Sequence, residues 1–258
     1  MSVRELVTYP DLAGKVAVVT GGSGSIGAAT ALALGENGVS VVVIGRDSAR
    51  LDAAVAAVHA VGGDALAISA DCTSESDVAA LEAQVEAQYG GADILVAFAG
   101  GQGTPVPTAS ETATHWRATL ESDLTSTFLT TSAFLPGMLA RGSGTIITMA
   151  SAAARQAAKS AAAYAAAKAG VIAFTRHLAS EYGGNGIRAN CIAPSAIETE
   201  RMRTWSSEPD RQHLGASFPL GRIGRPEDVA AATLFLASAA SSWITGITLD
   251  IAGGKVML

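Results

Sequence analysis

The feature that most constrains this chain is an alternation. Short β-branched runs, "KVAVVT" (15–20), "SVVVI" (40–44), "ALAIS" (65–69), "DILVAF" (93–98), "GTIITM" (144–149), "IRANCI" (187–192) and "GITLDI" (246–251), recur along it. Stretches rich in Ala, Leu and Glu lie between them, among them 48–61, 74–89, 112–135 and 158–182, several opening on a Ser or Thr suited to cap a helix. Strands separated by helical crossovers pair in parallel and need helices on both faces. The pattern predicts an α/β fold, a doubly wound, seven-stranded parallel sheet. No linker, repeat or low-complexity segment divides the 258 residues, so one domain, 1–258, is expected.

Charge narrows the partners. Seventeen Lys and Arg against 23 Asp and Glu give a net charge of −6, which offers no footprint for nucleic acid or an anionic membrane surface, and weakly disfavours an acidic carrier protein. A small uncharged substrate suits it better. Cys72 and Cys191 stand far apart and outside any metal-ligand spacing, which points to small core residues in a reducing, cytoplasmic setting. "MSVRELVTYPDLAGK" has no apolar core of signal-peptide type, and no later apolar stretch is long enough to span a bilayer. His59, His115, His177 and His213 repeat no ligand spacing, so they read as surface or packing residues and no metal is implied.

After the first strand comes "TGGSGSIG" (20–27), leading into a helical stretch. Gly21, Gly24 and Gly27, with Ser23, Ser25 and Ile26 between them, would form a sharp turn that lets the backbone approach a pyrophosphate at a helix N-terminus. Where the second strand ends, Gly45 and Arg46 precede Asp47. A guanidinium there forks onto a 2′-phosphate, whereas a carboxylate accepts from a 2′-hydroxyl. Arg46 favours NADP(H), with NADH left possible because Asp47 either caps the next helix or takes the ribose. Asp71, in "ADCT", either accepts from an adenine amino group or caps a helix. Two long loops, 100–110 and 194–228, should follow strand ends where ligands bind.

The stretch "AAAYAAAKAG" (161–170) interrupts small residues with one phenol and one ammonium, Tyr164 and Lys168, four apart. Residues i and i+4 share a helix face. A free phenol titrates near pH 10; an ammonium about 4 Å away, at an effective dielectric of 20, favours the phenolate by roughly 4 kcal/mol, or about three pKa units. That coupling suits a general acid/base working at neutral pH.

Taken together, "TGGSGSIG", "ADCT", "DILVAFAGG", "SAAARQAAKSAAAYAAAK", "IAPSAIET", "GRPEDVA" and "WITGITLDIAGG" resemble the short-chain dehydrogenase/reductase family, with its Rossmann fold, along essentially the whole chain. The resemblance implies hydride transfer between a ketone and a secondary alcohol. Tyr164 and Lys168 match its Tyr-x-x-x-Lys pair, and Ser151, thirteen residues before Tyr164, its catalytic serine. It further implies that Lys168 reaches the nicotinamide ribose and Ser151 the substrate oxygen. Ile197 and Thr199 would meet the carboxamide, although packing and helix capping are their ordinary roles, and Cys72, Ala99, Gly100 and Pro194 would lie along the cofactor. A homotetramer through 112–135 and 158–182 and a substrate lid over 194–228 complete the picture. Met202, Trp205 and Phe218 line the lid's pocket or simply pack, and Arg201 and Arg203 read as solvated charges.

Four positions depart from the pattern. Ser25 stands where the middle glycine is usual, a spacing similar to the extended branch of the family; that branch needs a larger carboxyl-terminal domain, so the shorter branch is expected. Ala97 and Phe98 replace two asparagines of Asn-Asn-Ala-Gly, and Phe98 supplies packing instead. Asp123 replaces an asparagine whose backbone carbonyl holds a water beside the lysine. Asp123 is expected to keep that backbone role and to turn its side chain into polar structure, because a carboxylate near Lys168 would oppose the activation of Tyr164. These departures keep open a second class, a weakly catalytic or inactive NAD(P)-binding sensor or scaffold.

Overall fold

All seven strands pair in parallel in the order β3-β2-β1-β4-β5-β6-β7: β1 Val16–Thr20, β2 Ser40–Gly45, β3 Ala65–Ser69, β4 Ile94–Ala97, β5 Gly144–Met149, β6 Ile187–Pro194 and β7 Thr248–Ile251. The computed structural model describes residues 7–101, 105–158 and 160–257; the start of the amino-terminal stretch read for a targeting signal, three residues of loop 100–110 and Lys159 lie outside the described residues. Strand periodicity explains the two layers. Ala17 and Val19 of β1 point into a cluster with Val41, Val43, Ile94 and Val96, whereas Val18 joins Val42, Ile44, Leu95 and Ile146 on the other face.

Helices α1 (Ser25–Glu36), α2 (Ser48–Ala60) and α9 (Pro226–Ala237) cover the first face through Leu34, Val58 and Leu234. Helices α3 (Glu75–Tyr89), α5 (Ser126–Arg141) and α6 (Ala162–Tyr182) cover the second through Leu81, Met138 and Leu178. The expected helix at 112–135 is three pieces: α4 (Ala113–Leu120), a π-helical turn (Glu121–Thr125) and α5. The helix expected from 158 begins at Ala162, and β7 begins two residues late because Gly246 has φ +77, a left-handed conformation that ends an extended run.

The segment 194–228 is not simply a loop. It carries α7 (Glu200–Trp205) and α8 (Glu208–Ala216). Thr199 caps the first by accepting from the Met202 N–H; Ser207 and Asp210 form a capping box on the second. Met202 and Phe218 are buried, whereas Trp205 is exposed. No helix among the described residues is long and apolar enough to cross a membrane.

Candidate active site

In a parallel sheet every strand ends on the same edge. That edge receives the Gly-rich turn after β1, Arg46 after β2, Asp71 and Cys72 after β3, Ala99 and Gly100 after β4, Ser151 after β5, and Ile197 and Thr199 after β6, whose last residue is Pro194. β1 lies between β2 and β4, so the strand order reverses there and opens the crevice where doubly wound sheets bind ligands.

The Gly-rich turn fits a dinucleotide. Helix α1 starts on Gly24, and no side chain caps its first turn, which leaves N–H groups for an anion. A Cβ on Gly27 would run into the Gly21 carbonyl, so only glycine lets α1 sit this close to the turn. Ser23 packs beside Gly45, the Ser25 hydroxyl accepts from the Glu200 N–H at 3.2 Å, and Ile26 packs partly into the core. The Thr20 hydroxyl, which sequence reasoning did not single out, accepts from both Phe98 N–H and Ala99 N–H at 3.0 Å and ties β1 to the chain after β4. Phe98 is buried in the core.

After β2 and β3 the acidic side chains make local bonds. Asp47 caps α2, accepting from the Arg50 N–H at 3.1 Å. Arg46 is 77% exposed and lies 3.8 Å from Asp71. Asp71 does not cap α3, a role taken by Ser74; its carboxylate accepts from the Thr73 N–H at 2.9 Å and the Thr73 hydroxyl at 2.8 Å, and these bonds hold it below the usual carboxylate range, with Arg46 adding to them. Burial pushes the Cys72 thiol up to about 12, so that side chain is a neutral core group. Ile197 is buried and forms an isolated bridge with Gly224.

Beside the end of β5, α6 places Tyr164, half-buried, and Lys168, buried, one turn apart. Lys168 Nζ lies 5.8 Å from the centroid of the Tyr164 ring and donates to the Met149 carbonyl at 3.0 Å, the last residue of β5 and two before Ser151. The Ser151 hydroxyl accepts from the Ala153 N–H at 3.2 Å in the 3-10 turn Ala152–Ala154, so its own hydrogen is left to donate.

Asp123 departs from expectation. Its carboxylate is not turned away into separate polar structure; Oδ1 lies 3.2 Å from Lys168 Nζ, with the two side chains 0% and 4% exposed. The π-helical turn inserts an extra residue between α4 and α5, a local change that places position 123 on the inner side. Oδ1 also accepts from the Gly101 N–H and Oδ2 from the Ser122 hydroxyl, both at 2.7 Å. Gly100 leaves the room: a Cβ there would stand 2.7 Å from Oδ1.

Two further features carried no local signal. Glu111 Oε2 accepts from the Ala163 N–H at 3.4 Å while Oε1 pairs with His115 at 3.0 Å, so His115 belongs to a polar cluster at the start of α6. Arg155, just past the Ser151 turn, forks onto Asp250 of β7 with Nε–Oδ1 and Nη2–Oδ2 both at 3.0 Å. Within 194–228, Glu200 pairs with Arg50 of α2 at 3.2 Å, Arg203 with Glu198 at 3.2 Å, and Arg201 donates to the Gly101 carbonyl.

Comparison with known proteins agrees with this geometry. The model of the family described as enoyl-(acyl carrier protein) reductase matches residues 21–255. The cis-4-hydroxycyclohexanecarboxylate dehydrogenase of Sinomonas cyclohexanicum is 39% identical over 240 residues, 93% of this chain and 96% of that protein. A 3-oxoacyl-[acyl-carrier-protein] reductase of Synechocystis is 38% identical over 248 residues, 95% and 98% of the two chains. Among solved structures, a 7α-hydroxysteroid dehydrogenase complexed with NADH and 7-oxo glycochenodeoxycholic acid superposes with a TM-score of 0.91 at 34% identity, covering 97% of both chains.

Proposed function

The chain belongs to the short-chain dehydrogenase/reductase family, and from that premise we propose that it is an NADP(H)-preferring oxidoreductase interconverting a ketone and a secondary alcohol, with Tyr164 as general acid/base. The observation that carries this reading is the placement of Lys168: it shares a helix face with Tyr164 and is tethered to the strand end that leads into Ser151. Non-catalytic nucleotide binding is not favoured for a chain whose relatives are named dehydrogenases and reductases.

The residues divide the work. Bound dinucleotide supplies or accepts the hydride. The uncapped first turn of α1 holds its pyrophosphate, and Arg46 favours a 2′-phosphate, since Asp47 is occupied as a cap. Asp71 and the Cys72 backbone border the adenine, Ala99, Gly100 and Pro194 the middle of the crevice, and Ile197 and Thr199 the carboxamide. The Ser151 hydroxyl donates to the substrate oxygen, and the Tyr164 hydroxyl gives that oxygen a proton in reduction and takes one back in oxidation. Lys168 orients the phenol and the nicotinamide ribose. Segment 194–228 acts as the lid, held near the crevice by Ser25, Arg50 and Gly101 through Glu200 and Arg201.

Assembly as a homotetramer fits the exposed Trp116 and Phe128 on the α4–α5 face, and a cytoplasmic location fits two buried, unpaired cysteines. Two of the similar proteins are named for a hydroxycyclohexane carboxylate and a hydroxysteroid, which ranks alicyclic alcohols and ketones first. The test is oxidation of NADPH and NADH against a panel of cyclic ketones with a 3-oxoacyl thioester for comparison. Turnover of a cyclic ketone with NADPH supports the reading; no turnover of any member with either nucleotide refutes it.

A further inference from the structure

A buried carboxylate bonded to Lys168 changes the electrostatics that Tyr164 meets. We propose that Asp123, by neutralising Lys168, sets the pH dependence of turnover, delaying to higher pH the proton loss that alcohol oxidation requires. This deepens the oxidoreductase reading and rests on it. Asp123 acts through Lys168 and is a positioning residue.

The geometry fixes the sign. Lys168 Nζ is 3.2 Å from Asp123 Oδ1 and 5.8 Å from the Tyr164 ring centroid, so the ammonium is in contact with a carboxylate and neighbours the phenol ring. The Gly101 N–H and the Ser122 hydroxyl both donate to the carboxylate and hold it against the ammonium. An ammonium paired in this way exerts little net field on the phenol. A carboxylate held against the ammonium opposes a further gain of negative charge at this site.

Of the other titratable groups around this site, two sets are ion pairs and the rest are not. Glu111, at the start of α6, pairs with His115 of α4; Arg155 from the turn after β5 pairs with Asp250 of β7; Cys191 of β6 is a thiol pushed up by burial; Glu121 of the π-helical turn is exposed; and Arg201 of the lid donates to the Gly101 carbonyl. Asp123 is the carboxylate bonded to Lys168 itself.

The experiment is the pH profile of kcat/KM for oxidation of a secondary alcohol, from about pH 5 to about pH 10, measured on the full chain and on Asp123→Asn and Asp123→Ser, with Tyr164→Phe alongside. Both charge-free variants should show an ascending limb about one pH unit or more below that of the unmodified protein, so that they oxidise relatively faster on the acid side. Coincident limbs, or a loss that is the same at every pH, would overturn the proposal. So would failure of both variants to fold, which would assign the carboxylate to structure alone. An unmoved limb with Tyr164→Phe inactive refutes only the role of Asp123; activity retained by Tyr164→Phe removes the general acid/base reading and this proposal with it.

Discussion

Replacing Lys168 by Met leaves Asp123 as a buried charge without its partner, and the cost follows from the site. At 3.2 Å and an effective dielectric of 20 the attraction is about 5 kcal/mol. The Gly101 N–H and Ser122 hydroxyl remain bonded to the carboxylate and offset part of that loss. Breaking a buried pair from one side costs about 3–5 kcal/mol, and these two bonds favour the lower end. At about 2–4 °C for each kcal/mol in a chain of this size, the unfolding midpoint should fall by roughly 6–15 °C. Thermal and urea unfolding followed by circular dichroism, at one fixed protein concentration, read the change. The double variant Lys168→Met with Asp123→Asn removes both charges, and its cost should be about 2 kcal/mol less than the sum of the single costs. Additivity within about 0.5 kcal/mol would show that the two groups do not interact, and the description of the site as an ion pair would be wrong.

Arg46→Ala should raise the KM for NADPH at least about tenfold, a loss of about 1.4 kcal/mol, while leaving that for NADH nearly unchanged; equal effects would remove the 2′-phosphate role. Gly27→Ala forces a Cβ into the Gly21 carbonyl, so it should destabilise the protein by about 1–3 kcal/mol and weaken both nucleotides in a fluorescence titration; unaltered binding would contradict the tight approach of α1 to the turn. For Asp71, the Thr73 bonds depress the carboxyl, so their stabilisation is present above the unfolded value near 4 and is lost as pH falls through the lower folded value. Thr73→Val should therefore move the acid-unfolding midpoint to higher pH, and an unchanged midpoint would refute that assignment.

The alternation of strands and helices was legible because both periodicities are local, and all seven strands sit within about two residues of their expected ends. The same holds for Tyr164 and Lys168, since four residues on a helix fix a shared face. Asp123 was legible as a departure but not in its orientation. That depends on a π-helical turn inside 112–135, and helical periodicity does not announce where one extra residue is inserted. The helices within 194–228 did have signals: Thr199 before "ERMRTW" was read as a possible cap, whereas a stretch rich in charges and prolines masked the Ser207–Asp210 capping box. Arg155 and Asp250 are 95 residues apart, and nothing in either neighbourhood points to the other.

Tyr164→Phe tests the central claim most directly, because it removes one hydroxyl and keeps the ring beside Lys168. With a ketone that the unmodified protein reduces, measured together with NADPH binding by fluorescence, the variant should bind the nucleotide as before and lose turnover by about 10²–10⁴-fold. Turnover within a few fold of the unmodified protein would contradict the assignment of proton transfer to Tyr164.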